Sequence, residues 1–117
     1  MSSITLYGIS NCDTIKKTRK FLQERDIAYK FHDYRKDGAT DALIRKFLQQ
    51  YSAEELINRR GTTWRALSDA EKALAEGRQV NKLLGKYPAL VKRPLLSKGK
   101  HWQLGFDPAA METFIKK

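Results

Sequence analysis

Ile4-Thr5-Leu6-Tyr7-Gly8-Ile9-Ser10-Asn11-Cys12-Asp13-Thr14-Ile15 runs from an alternating apolar segment into a helical one. Ile4, Leu6 and Gly8 alternate with Thr5, Tyr7 and Ile9, and apolar groups on both faces suit a central strand over residues 4–9. Residues 13–25 read as an amphipathic helix. Ile15, Thr18 and Leu22 share one face with Phe21 beside them, while Lys16, Lys17, Lys20 and Glu24 point outward. Cys12, the only cysteine in the chain, falls at the junction. A side chain there faces unpaired backbone N–H groups and the positive end of the helix dipole. Both favour thiolate, the nucleophilic form, and Lys16 and Lys17 one turn on add positive charge. Free cysteines often only pack, but the flanking Asn11 and Asp13 suit a polar turn better than a core. A strand-then-helix junction is also where a thiol redox site is expected.

Working outward, Ile27, Tyr29 and Phe31 alternate with Lys30 and His32, which predicts a half-buried strand over residues 27–34. Strand–helix–strand implies a parallel pair joined by a right-handed crossover. Asp37-Gly38 reads as a turn, and Leu43, Ile44, Phe47, Leu48 and Tyr51 form the stripe of a second helix from about residue 41 to 51. Ser52…Glu55 and Ser68…Glu71 are capping boxes that start two short helices on either side of a loop at residues 58–65. Gly77 ends the second of these. A further helical stretch runs to Lys86, and Tyr87-Pro88 breaks the pattern. Residues 89–97 are β-prone apart from Lys92-Arg93-Pro94. Lys98-Gly99-Lys100 turns the chain into a return strand at 101–106. Asp107-Pro108 is an N-cap followed by proline at the first helical position.

At 117 residues with 41% hydrophobic content the chain reads as one globular domain over residues 1–117, large enough for a core without staples. No apolar run approaches the roughly 20 residues of a membrane span, and no signal-peptide pattern opens the chain. A single cysteine suits a reducing, cytoplasmic setting. The formal charge is +10, which attracts anionic partners. The basic residues are dispersed rather than gathered in one tract, so direct nucleic-acid binding rests on charge alone. His32 and His101 stand at no ligand spacing to Cys12, to an acid or to each other, so no metal site is read. No bound cofactor is expected.

The order βαβ, several helices, then ββα, with a cysteine after the first strand, looks like an α/β thioredoxin-like fold. A mixed four-stranded sheet would carry an all-helical insertion, at about residues 40–87, between the second and third strands. Three motifs sharpen this: Gly8-Ile9-Ser10-Asn11-Cys12-Asp13-Thr14-Ile15-Lys16-Lys17, Arg59-Arg60-Gly61-Thr62-Thr63-Trp64-Arg65 and Lys92-Arg93-Pro94-Leu95. Together they resemble the arsenate reductase/Spx (ArsC-like) family over essentially the whole chain, with the greatest likeness to its YffB-type subgroup, regarded as glutathione-dependent thiol reductases.

The resemblance implies catalysis by Cys12 with Arg93, and a proline, Pro94, that is cis and lies beside the thiol. It implies glutathione as co-substrate and an oxidised substrate that the residues do not identify. Asn11, Thr14, Lys16, Arg59 and Arg60 are the further substrate-binding candidates. Of these, Thr14 could hydrogen-bond the thiolate but is favoured as a cap of the helix, Asn11 could be a cap or a donor to a substrate carboxylate, and Arg59 and Arg60 could face either thiol or solvent. Trp64 is expected in the core rather than as a stacking platform.

The departures from the family also inform. Where a dithiol site has its second cysteine the chain has Ile15, so any disulfide intermediate involves a second molecule. The family's arsenate reductases hold the oxyanion with three arginines. Arg93 matches one, a second falls at Asn58–Arg60, and the third falls near Phe106, which is not basic. Arginine forks bind oxyanions, so arsenate reduction is the less favoured activity. The Spx-type members act by binding RNA polymerase and carry a Cys-x-x-Cys that is absent here. A protein-binding role would not require Cys12. The chain is taken as a monomer.

Overall fold

The computed structural model describes residues 3–117. The chain is a thioredoxin-like α/β protein, with a mixed four-stranded sheet and a run of helices inserted between its second and third strands. It divides into two units. One comprises Met1–Gly38 and Arg93–Lys117, and the other Ala39–Lys92.

In the first unit, β1 (Ile4–Gly8) leads through α1 (Asp13–Glu24) to β2 (Tyr29–Asp33). The two strands are parallel, with Ile4 opposite Tyr29 and Gly8 opposite Asp33. β3 (Leu95–Lys98) runs antiparallel to β1, and β4 (His101–Leu104) antiparallel to β3, giving the order β2-β1-β3-β4. Strand alternation sends Ile4, Leu6 and Leu96 to one face. There they meet Ile15, Phe21 and Leu22 of α1 and Met111 and Phe114 of α8 (Pro108–Ile115) in one buried cluster. Thr18, on the same helix face, is buried because its hydroxyl donates to the Thr14 carbonyl at 2.8 Å. Tyr7 and Ser97 lie on the opposite face, with Tyr7 Oη and Ser97 Oγ 3.4 Å apart. α8 begins as its sequence predicts: the Asp107 carboxylate accepts from the N–H groups of Ala109 and Ala110.

Several boundaries differ from the sequence reading. β2 ends at Asp33, because the Asp33 carboxylate accepts from the Arg35 N–H at 2.9 Å and caps a one-turn helix, α2 (Tyr34–Asp37), that closes at Gly38 with φ 78°. β3 begins only at Leu95. β4 stops at Leu104 rather than 106, since Gly105 takes φ 93° and turns its N–H to the Pro94 carbonyl, 2.9 Å away.

The second unit contains α3 (Asp41–Gln50), α4 (Ala53–Leu56), α5 (Thr62–Arg65), α6 (Asp69–Leu74), α7 (Val80–Lys86) and a 3-10 turn at Pro88–Leu90. Both predicted capping boxes are formed, by Ser52 with Glu55 and Ser68 with Glu71. Ile44, Phe47, Leu83 and Leu84 are buried where α3 meets α7, and Asn81 Nδ2 donates to Asp41 Oδ1 at 2.6 Å across the pair. The stretch expected to be a loop at 58–65 contains α5. Residues 89 and 90, expected to be β-prone, belong with Pro88 to the 3-10 turn instead. Among the described residues, no helix is long and apolar enough to cross a membrane.

Candidate active site

Cys12 is itself the N-cap of α1, in extended geometry at φ −101° and ψ 130°. Its carbonyl accepts the first helical hydrogen bond, from the Lys16 N–H at 3.0 Å. Its half-buried side chain packs on the apolar cluster beneath α1. A neutral thiol is a weak acceptor, and the Cys12 side chain makes no capping hydrogen bond in that form. The charged form meets a different balance. Partial burial is the largest single influence and pushes the thiol up. The Ile15 N–H, the hydrogen bond and charge of Arg93, and the Thr14 N–H pull the other way and together prevail, so the thiol sits below its ordinary value.

Arg93 reaches Cys12 from the segment entering β3. The Arg93–Pro94 peptide bond is cis, Pro94 is buried, and the Pro94 carbonyl is held by Gly105. The guanidinium also acts on Tyr34, a buried residue at the start of α2. Burial and the neighbouring Tyr7 push the Tyr34 hydroxyl far above the ordinary tyrosine range, and Arg93 opposes this only in part, so Tyr34 stays protonated. Around it lies an aromatic array. The His32 ring is 5.9 Å from Tyr34 and 5.4 Å from Tyr7, and Tyr7 stacks on Trp102 at 6.1 Å. The sequence reading placed Tyr34 at a strand end and missed its nearness to Arg93. Only its apolar ring at the close of β2 hinted at burial.

The other candidates fall as follows. Asn11 is exposed in the turn, and neither it nor Thr14 is the cap, because the chain enters the helix one residue after Asn11, at Cys12. Thr14 contributes its N–H to the thiolate and its carbonyl to Thr18. Lys16 and Lys17 are exposed, and the positive charge felt at the sulfur is that of Arg93. Arg59 and Arg60 belong to the helical unit. Arg59 places its guanidinium 5.1 Å from the centre of the Trp64 ring. The Arg60 N–H donates to Asn58 Oδ1 at 3.0 Å, and its carbonyl accepts from Arg65 Nη2 at 2.8 Å. Trp64, expected in the core, is half-buried and serves as a platform for cations, with Lys72 6.0 Å from the same ring. Phe106 is an exposed phenyl set edge-on to Phe21 at 6.4 Å. His32 Nε2 lies 2.8 Å from the Gly38 carbonyl. Among the described residues, no group of three or more His, Cys, Asp or Glu could hold a metal. The arrangement supplies an activated sulfur, backbone donors to hold its charge, and a planar cation beside it.

Residues 7–114 match the ArsC family. Among solved structures, the YffB protein is 36% identical and superposes with a TM-score of 0.87, covering 96% of this chain and 98% of its own. An arsenate reductase (ArsC) related protein from Brucella melitensis is 39% identical, with a TM-score of 0.76 and coverage of 98% and 96%. The global transcriptional regulator Spx of Listeria innocua is 27% identical over 116 residues, 97% of this chain and 88% of the regulator.

Proposed function

The chain belongs to the ArsC family, and on that premise we propose that it is a cytoplasmic, monomeric monothiol oxidoreductase with Cys12 as nucleophile and glutathione as co-substrate. The observation that carries this reading is the lowered Cys12 thiol, held by the Ile15 and Thr14 N–H groups and by Arg93 against the cost of partial burial. The Cys12 thiolate attacks one sulfur of an oxidised substrate disulfide. A Cys12 mixed disulfide forms, the substrate S–S bond breaks, and the departing thiolate takes up a proton. The chain has no second cysteine to resolve the intermediate. A glutathione thiolate therefore attacks the Cys12 sulfur, forming a Cys12–glutathione disulfide and releasing the second substrate thiolate, which takes up a proton. A second glutathione thiolate then attacks the glutathione sulfur, giving glutathione disulfide and releasing the Cys12 thiolate. The Arg93 fork supports the sulfur's charge and suits a glutathione carboxylate. Asn11, Thr14, Lys16, Arg59, Arg60 and Pro94 remain the candidates for holding the rest of the substrate.

The match to the Spx regulator along nearly the whole chain, at 27% identity, favours a second reading, a protein-binding role that does not use the thiol. Both readings meet in one experiment, the rate of Cys12 alkylation against pH, with and without glutathione disulfide. The enzyme reading expects a midpoint below the free-thiol value of about 8.5, protection by glutathione disulfide, and loss of turnover in Cys12→Ser. A midpoint at the free-thiol value with no protection overturns it and leaves the binding role. Arsenate reduction is the weaker enzymatic alternative, because a phenyl group stands near the expected position of the third arginine.

A further inference from the structure

A pocket of about 890 Å³ opens at the far end of the sheet from Cys12. It lies against Ser3 and Ile4 at the start of β1, the approach to β2, the β3–β4 turn and the end of α8. Cys12 follows the opposite end of β1, beyond five strand residues that span about 16 Å at roughly 3.3 Å each. The pocket is therefore separate from the reactive sulfur. Its volume falls within the roughly 300–1,000 Å³ range of small-molecule sites.

Its lining is two-natured. Ile4, Ile27 and Ile115 supply an apolar floor, and Ile4 is only 3% exposed. Lys98, Lys100 and Lys117 supply ammonium groups, and none of the described lining side chains is acidic. The C-terminal end of α8 brings partial negative charge to this wall. Lys98 answers it, since its Nζ donates to the Ile115 carbonyl at 2.5 Å. Lys100 and Lys117, both exposed, are left facing the opening. A small inorganic anion would leave the floor wet, and a neutral apolar molecule would leave the two ammonium groups without a counter-charge.

We propose that this pocket binds an amphiphilic organic anion, a carboxylate on a medium-length apolar body, with the chain on the isoleucine floor and the charged head at Lys100 and Lys117. The proposal is independent of the thiol chemistry. The test is a titration of the full ¹⁵N-labelled chain with sodium decanoate below its micelle concentration, followed by amide NMR. Saturable shifts confined to Ile4, Ala28, Gly99 and Ile115 are expected. Affinity should fall about tenfold or more in Lys100→Glu/Lys117→Glu and for decanol in place of decanoate. Should the charge-reversed variant not fold, Lys100→Ala/Lys117→Ala serves the same comparison. Shifts scattered over the whole chain, equal binding of decanol and decanoate, or unchanged affinity in the lysine variants would each overturn it.

Discussion

Arg93 hydrogen-bonds the Cys12 sulfur, joining the residue before the cis proline to the first turn of α1. Two backbone N–H groups reach the same sulfur, but only Arg93 brings a full positive charge. Arg93→Ala should therefore raise the Cys12 titration midpoint and slow alkylation below it. Because the sulfur is only partly buried, the pair is screened and worth about 0.2–1 kcal/mol, a drop of about 1.4- to fivefold in rate. Arg93→Lys should recover part of the loss, since it keeps the charge and loses the fork. A pH–rate profile identical in wild type and Arg93→Ala would show that the guanidinium does not tune the thiol.

The lowered thiol also makes stability depend on pH in one direction. Unfolded, Cys12 titrates near 8.5, and folded it titrates lower. Between the two values the unfolded chain holds more protons, so stability rises with pH across that window. The contribution is complete above the unfolded value and vanishes as pH falls through the folded one. The Tm of the wild type minus that of Cys12→Ser should thus increase from pH 6 to pH 9.5, by an amount corresponding to well under about 1 kcal/mol after screening. A difference that is flat or declines with pH would contradict the lowered thiol.

What could be read from the sequence was local. Cys12 stood out because strand and helix periodicities meet at it, and Asp107 and the two serine–glutamate boxes announced their helices through side-chain acceptors three residues or fewer from the donors they satisfy. α5 did not announce itself, because its N-cap is Gly61, which has no side-chain acceptor. The 3-10 turn at Pro88–Leu90 was hidden by its apolar composition, and the true end of β4 by Gly105, whose positive φ only the folded chain reveals. The site divides in the same way. The thiol and its helix N-terminus are sequence-adjacent, whereas Arg93 and Tyr34 come to one place only through the pairing of β3 and β2 on either side of β1. Only the resemblance to a known family pointed to Arg93, and nothing placed Tyr34 near it.

In the helical unit, Ser68 accepts from the Glu71 N–H at 3.1 Å, while the Glu71 carboxylate accepts from the Ser68 N–H and, at 2.7 Å, from the Tyr87 hydroxyl. The cap thus ties α6 to the end of α7. Ser68→Ala should cost about 0.5–2 kcal/mol in denaturant unfolding without moving the Cys12 titration. An unchanged midpoint of unfolding would mean that α6 contributes nothing to the cooperative unit.

Ile15 occupies the place of a second cysteine, and its side chain is seated on Gly8. A β-carbon added at Gly8 would lie 2.4 Å from Ile15 Cδ1 and 2.9 Å from Cγ1. Ile15 is fully buried, so swinging aside means displacing packed neighbours. Gly8→Ala should therefore destabilise the chain by about 1–3 kcal/mol through overpacking. Ile15→Ala alone should cost about 2–5 kcal/mol through the cavity it leaves. The two defects are complementary in space, so the double variant should be more stable than the sum of the single losses allows. A double-mutant cycle by urea unfolding measures this directly. Strict additivity would show that the clash is relieved elsewhere and that Ile15 does not fix the floor beneath Cys12.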